Sequence, residues 1–206
     1  RLSAMTTWTS KPLAALGILV MLGACDAADQ SGGLLAGLAP PGDAALPPVP
    51  LTQAMMMKGN VALVPPGGYC IDPESLTQSF ALMARCDALG APEGGYGAPI
   101  GVLTVSFARD RDPEKPIPSA QEITEATGLG TPLSARSHTG SVVFQTTGPP
   151  PVADLSPLHW RSVSRVGGYT MGAALFGPAD RRAVSEEGGA FLIEMIRRTT
   201  EKTNAR

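Results

Sequence analysis

Three cysteines and two histidines are the residues of this 206-residue chain best suited to covalent, redox or metal chemistry. Cys70 and Cys86 lie in two strand-like stretches joined by a polar turn over residues 73–79. A hairpin centred near Gln78 would place the two thiols opposite each other, and we therefore predict a disulfide between them. The alternative is a pair of buried free thiols, which pack as small apolar groups. Thiol exchange is not favoured, because the chain has no Cys-x-x-Cys spacing.

The two histidines, His138 and His159, are the candidates for acid–base or metal chemistry. A zinc site needs further ligands at a recognisable spacing, and the sequence has none, so we predict no metal and no cofactor. A serine hydrolase of the Gly-x-Ser-x-Gly type is not indicated either, because the nearest match, around Ser141, lacks the second glycine. We expect both histidines to lie in loops or at hydrogen-bonded surface positions. A small cell-envelope hydrolase using His138 or His159 remains an alternative function.

The charge balance restricts the class of partner. The chain has 16 basic and 18 acidic residues and a formal net charge of −2, so it lacks the basic excess that nucleic-acid binding requires. Basic residues nevertheless outnumber acidic ones in the segment 155–206. Four arginines there could form an anion-binding face for a lipid headgroup, a cell-wall polymer or an acidic protein: Arg161, Arg165, Arg181 and Arg182. The alternative is that these arginines are scattered and only aid solubility.

The N-terminal segment has the features of an export signal. Lys11 precedes thirteen residues without charge, 12–24. A membrane-spanning helix needs about 20 apolar residues, whereas a run of this length is typical of a secretory signal peptide. We therefore predict a signal peptide over residues 1–24, with translation starting at Met5, and no transmembrane helix later in the chain.

The end of this segment, Leu22-Gly23-Ala24-Cys25, resembles the lipobox of bacterial lipoproteins. The resemblance implies that the Cys25 sulfur receives a diacylglyceryl group, that a signal peptidase cuts before Cys25, and that the new amine is acylated, for example with palmitate. Small side chains let the backbone lie extended in a peptidase groove, and the thiol is the strongest nucleophile of the stretch. The mature chain would then be anchored to the bilayer and face the periplasm.

The resemblance also has consequences for compartment. In enteric lipoproteins, an aspartate directly after the acylated cysteine disfavours transfer to the outer membrane, so Asp26 favours the inner membrane and leaves the outer membrane as the alternative. The periplasm is oxidising, which adds to the expectation that Cys70 and Cys86 are joined.

Composition divides the rest of the chain into a tether and one domain. The chain has 24 glycines and 20 prolines. Residues 25–54 are rich in alanine, glycine and proline and have no aromatic residue, which predicts a flexible tether behind the lipidated cysteine. Residues 55–206 are predicted to form a single domain.

The domain is predicted to be α+β, with two sets of antiparallel strands packed by a middle helix and a C-terminal helix. Ser119 and Glu122 fit a capping box at the start of the middle helix, which should end before Gly128. The C-terminal helix should begin at Glu186 or Gly189 and end near Lys202. Strands are predicted at 61–64, 68–72, 80–87, 100–107, 141–146, 160–166 and 169–176.

This order of elements, over residues 58–202, is similar to that of PsbP-like domains. The resemblance implies a helix-and-sheet sandwich that serves as an accessory or binding module. The predicted function is a membrane-anchored lipoprotein whose periplasmic domain binds an envelope protein or cell-wall component without catalysis. A purely structural envelope component is a further alternative.

Overall fold

The computed structural model describes residues 48–91 and 94–206. The predicted signal peptide, Cys25, Asp26 and the tether up to residue 47 therefore lie outside the described residues. Pairing begins slightly before the predicted domain start, because Leu51 forms an isolated bridge with Ile71.

The described residues form an α+β fold with two antiparallel sheets and two helices, and this confirms the predicted class. The strands are β1 Ala54–Met56, β2 Val61–Leu63, β3 Tyr69–Ile71, β4 Phe80–Arg85, β5 Val102–Arg109, β6 Ala135–His138, β7 Ser141–Thr147, β8 Leu158–Val166 and β9 Tyr169–Phe176. The helices are α1 Ala120–Thr127 and α2 Glu186–Asn204.

The smaller sheet consists of β1 and β2. The larger sheet has seven strands in the order β3-β4-β5-β9-β8-β7-β6, so the pairing of β5 with β9 joins the two predicted strand sets.

Both helices begin where the sequence predicts, and α1 also ends at the predicted residue. The helix α2 extends to Asn204, two residues beyond its predicted end near Lys202. The Ser119 side chain accepts from the backbone of Glu122, whose carboxylate bonds back to the Ser119 amide, and Gly128 ends α1 in the left-handed conformation. The Ser185 side chain caps α2 by accepting from the Glu187 amide at 3.3 Å.

The edge strand β6, Ala135–His138, was not predicted. Its four residues are largely exposed and do not alternate between apolar and polar types. It forms because a tight turn through Gly140, which has a φ of 77°, returns the chain from β6 into the apolar strand β7. Since the pairing partner creates this strand, local composition gives no sign of it.

Trp160 anchors α2 on one face of the large sheet, which we call the α2 face. Its side chain is fully buried, and the indole N–H donates to the Ser185 carbonyl at 2.6 Å, directly at the start of α2. The helix can approach this closely because Gly188 and Gly189 lie against the ring. A methyl group at Gly188 would lie 2.6 Å from Trp160 Cδ1 and would also collide with the Ala183 carbonyl.

The other end of α2 holds the small sheet through two threonines. Thr203 Oγ1 accepts from the Ala62 amide and Thr199 Oγ1 from the Val64 amide, both at 3.1 Å. These side chains satisfy backbone donors at the edge of β2, which would otherwise be buried without a partner. The helix thus joins the small sheet to the core that includes Leu192.

Changing Gly188 to alanine should destabilise the fold, because α2 would have to move away from Trp160. The expected loss is about 2 kcal/mol, measured by chemical or thermal unfolding. The matched control is Gly67→Ala, since a methyl group there would meet only Glu194 Oε1, at 3.5 Å. Equal stability of the two variants would contradict this packing.

Candidate functional site

The predicted disulfide between Cys70 and Cys86 is present, with an S–S distance of 2.04 Å and a Cα–Cα distance of 4.8 Å. The predicted register of the hairpin, in contrast, was wrong by two residues. Cys70 pairs with Ala84, and Cys86 follows the end of β4, where its amide donates to the Gly68 carbonyl at 3.0 Å.

The register differs because the connection between β3 and β4 is not one symmetric loop. Ser75 folds back on the Asp72 carbonyl, and the Thr77 amide donates separately to the Phe80 carbonyl at 2.9 Å. The two local turns displace the pairing, and the disulfide then joins diagonal positions of the hairpin.

Replacing both Cys70 and Cys86 with serine should lower stability by about 3 kcal/mol, because the bridge closes a loop of 16 residues in the unfolded chain. The measurement is equilibrium unfolding of the variant beside the oxidised wild type. The reduced wild type is the control and should match the variant. A variant as stable as the oxidised protein would contradict this role for the disulfide.

The four predicted arginines do not lie in one place. Arg161 and Arg165 point to the same side of β8, away from α2, whereas Arg181 and Arg182 follow the end of β9 and line other clefts. Arg165 forms an ion pair with Asp110, with Nε 2.6 Å from Oδ2.

Arg182 also forms an ion pair, with Glu187. Arg181 is exposed beside it. The structure thus singles out Arg161: it has no ion-pair partner within the described part of the chain, and it is also half-buried.

Arg161 lies in a cleft between α1 and the uncovered part of the sheet, which we call the Arg161 cleft. The cleft has a volume of about 190 Å³. The side chains of α1 pack on Val142 and Phe144 in a small apolar cluster separate from the main core. On the same face, Ser106 of β5 is exposed, and Thr104 of β5 and Gly172 of β9 are partly exposed. The cleft is lined by Phe80, Thr104, Ser106, Ile123, Thr127, Phe144, Arg161, Val163, Gly172 and Ala174, together with Val105, Ser162 and Ala173.

The Arg161 guanidinium is held by His159. Its Nε donates to His159 Nε2 at 2.9 Å, and its guanidinium carbon lies 5.9 Å from the centre of the Phe176 ring. The pKa of Arg161 is lowered, and the cause is desolvation by burial. A guanidinium nevertheless stays charged at neutral pH, so the cleft contains a fixed cation.

His159 is not the surface residue that we expected. It is fully buried in β8, where its ring stacks on Phe176 with centroids 4.3 Å apart. The sequence around His159 gives no sign of burial, because the groups next to the ring come from other elements. Phe176 of β9 stacks on it, and a methyl group on Gly148, which follows β7, would lie 3.4 Å from its Cε1.

The hydrogen bonds of His159 define its tautomer. Nδ1 lies 2.8 Å from the Pro157 carbonyl, which only accepts, and Nε2 faces the Arg161 donor. The ring is therefore neutral with its proton on Nδ1. Burial lowers the pKa of His159, the Arg161 charge lowers it further, and the bond to Pro157 opposes both.

These surroundings lend no support to catalysis by either histidine. Both ring nitrogens of His159 are engaged, so it has none free to act as a base. His138 is exposed at the end of β6, in a separate cleft beside Ser119 and Glu122, and that serine caps α1. Over residues 48–91 and 94–206, three or more His, Cys, Asp or Glu side chains nowhere come together as a metal site. In the same residues, no helix is both long and apolar enough to cross a membrane.

Comparison with known proteins gives no relative: no family model, no curated protein and no solved structure matches the chain. The similarity in element order to PsbP-like domains stays a prediction.

The neutral His159 should make stability depend on pH. Because its pKa is lower in the folded than in the unfolded state, the unfolded chain binds more protons below about pH 6.5, and stability falls as pH falls through that value. We expect the Tm to drop between about pH 7.5 and about pH 5.

The variant His159→Gln should be less stable at the higher pH but show a flatter pH dependence. The control His138→Gln changes an exposed histidine and should keep the wild-type slope. If the stability of His159→Gln depends on pH as steeply as that of the wild type, His159 is not the source of the pH dependence.

Proposed function

We propose that the chain is a bacterial lipoprotein, anchored to the membrane through acylated Cys25, whose periplasmic α+β domain is a non-catalytic binding module. The proposal is supported mainly by the different roles of the three cysteines. The sequence has three, and the domain joins Cys70 to Cys86, so Cys25 is the one cysteine outside the disulfide. That cysteine ends the segment that resembles a lipobox.

The disulfide supports an exported location, since structural disulfides are typical of oxidising compartments. Two or three acyl chains on Cys25 would give stable membrane attachment, which a single chain does not. Asp26 favours retention in the inner membrane. Proteins or polymers of the envelope are then the accessible macromolecular partners.

The binding role of the domain is supported by the Arg161 cleft. A half-buried cation without a carboxylate partner among the described residues suits an anionic ligand better than it suits stability. The hydrolase alternative has weaker support, because the His159 ring is fully hydrogen-bonded. A structural envelope component remains the alternative that leaves the cleft without a role.

Replacing Cys25 with serine should abolish lipid attachment, because an alcohol does not substitute for the thiolate nucleophile. In the native type of host, we expect incorporation of a palmitate analogue to disappear. The protein should also stay as precursor or leave the membrane fraction. Intact mass spectrometry should find the fatty adduct on residue 25 of the wild type alone.

The control is the double variant Cys70→Ser, Cys86→Ser, which removes the other two cysteines but leaves residue 25 and should keep the lipid label. Density-gradient separation of the labelled wild type should place it with the inner membrane. A cleaved Cys25→Ser chain that stays on the membrane would reject the anchor.

A further inference from the structure

We propose that the Arg161 cleft is a binding site for a short-chain monocarboxylate, with the carboxylate on Arg161 and the carbon chain against the apolar wall formed by α1 and β7. The inference deepens the proposed function and rests on it only in taking the domain to be a binding module.

The floor of the cleft exists because β9 has small residues there. Gly172 and Ala174 lie between Ser106 and Thr104 of β5 on one side and Val163 and Arg161 of β8 on the other. Larger neighbours on both sides of a strand with almost no side chains leave a depression in the sheet. The hydroxyls of Thr104 and Ser106 make no hydrogen bond to other described residues, so they remain available on that floor.

The Arg161 guanidinium has N–H donors that suit a carboxylate. Since Nε is bound to His159, the two terminal nitrogens are left, and neither has a protein acceptor in the residues that the structure describes. A guanidinium fork offers parallel donors that match the two oxygens of a carboxylate. His159 fixes the side chain, which reduces the entropy lost on binding.

Size and lining favour a short organic acid. The volume of about 190 Å³ is small for a ligand pocket and suits a short organic acid better than a long acyl chain. The apolar wall of Ile123, Phe144 and Val163 has no counterpart in the chemistry of inorganic phosphate. A single available cation also suits a monoanion better than a dianion.

The test is isothermal titration calorimetry on the full chain, purified in a non-ionic detergent, with sodium hexanoate as the probe. We expect one site per chain. Arg161→Gln should weaken binding at least tenfold, because it removes charge-assisted hydrogen bonds. Hexanamide, which has the same shape without the charge, should also bind at least tenfold more weakly to the wild type.

Two further variants separate the cleft from general charge effects. Arg165→Gln removes a cation from the same strand and face, but one already paired with Asp110, and should leave the hexanoate affinity within about threefold. Gly172→Val should fill the floor and weaken binding at least tenfold while keeping every charge. If Arg161→Gln does not fold, two comparisons still test the proposal: the wild type against Gly172→Val with hexanoate, and hexanoate against hexanamide with the wild type.

Three results would overturn the proposal: no binding of hexanoate to the wild type, equal affinity in the wild type and Gly172→Val, or phosphate binding as tight as that of hexanoate. The outcome is independent of the anchor. Lipidated chain that fails to bind hexanoate would reject the cleft alone, and a Cys25→Ser chain that binds it normally but stays on the membrane would reject the anchor alone.

Discussion

The packing of Trp160 against α2 fixes which residues of β8 face the main core and which face the opposite side of the sheet. Successive side chains of a strand point to opposite faces, so a buried indole at position 160 sends residues 159, 161, 163 and 165 to the other face. A slip of one residue would bring Arg161 into the main core and expose the indole. The glycines of the first turn of α2, and the hydrogen bond from the indole to Ser185, exclude that slip. The packing of Trp160 on the α2 face therefore places the Arg161 charge on the opposite face of the sheet.

The second face is built differently. The main core fills the α2 face with large apolar side chains, whereas α1 is short and covers only one end of the opposite face. On the uncovered part, small residues of β9 lie beside a cation that burial has partly desolvated. Such a cation costs free energy unless an anion compensates it. Arg165, on the same strand, has its compensation from Asp110 within the chain. This difference between the two arginines is the basis on which we propose Arg161 as the residue that binds the ligand.

Much of the fold could be predicted because it depends on local chemistry. The capping box at Ser119 and the left-handed Gly128 act over a few residues, and so does the two-residue turn between the predicted strands 160–166 and 169–176. The disulfide could also be predicted, although its register could not, because two successive turns displaced the hairpin. The strand β6 forms because it pairs with its neighbour β7, and its own composition gives no signal for it. The burial of His159 depends on segments that the fold brings next to the ring, which the sequence around His159 does not indicate.

The site shows the same division. The sequence indicated an excess of arginines after residue 155, but it treated four of them alike. Arg161 differs from the other three because it is half-buried and has no ion-pair partner among the described residues. Both properties depend on the fold, which places Asp110 beside Arg165 and Glu187 beside Arg182. One signal for the site is nevertheless present in the sequence of β8, because consecutive residues of a strand, here Trp160 and Arg161, point to opposite faces.

Nitrogen NMR of the Arg161 side chain during titration with hexanoate would show whether this guanidinium binds the carboxylate. In arginine-labelled protein, with resonances assigned by comparison with Arg161→Gln, we expect the resonances of the two terminal nitrogens to shift and their proton exchange to slow, while those of Arg165 stay unchanged. Arg161 resonances that do not move when hexanoate is saturating would contradict the proposed binding.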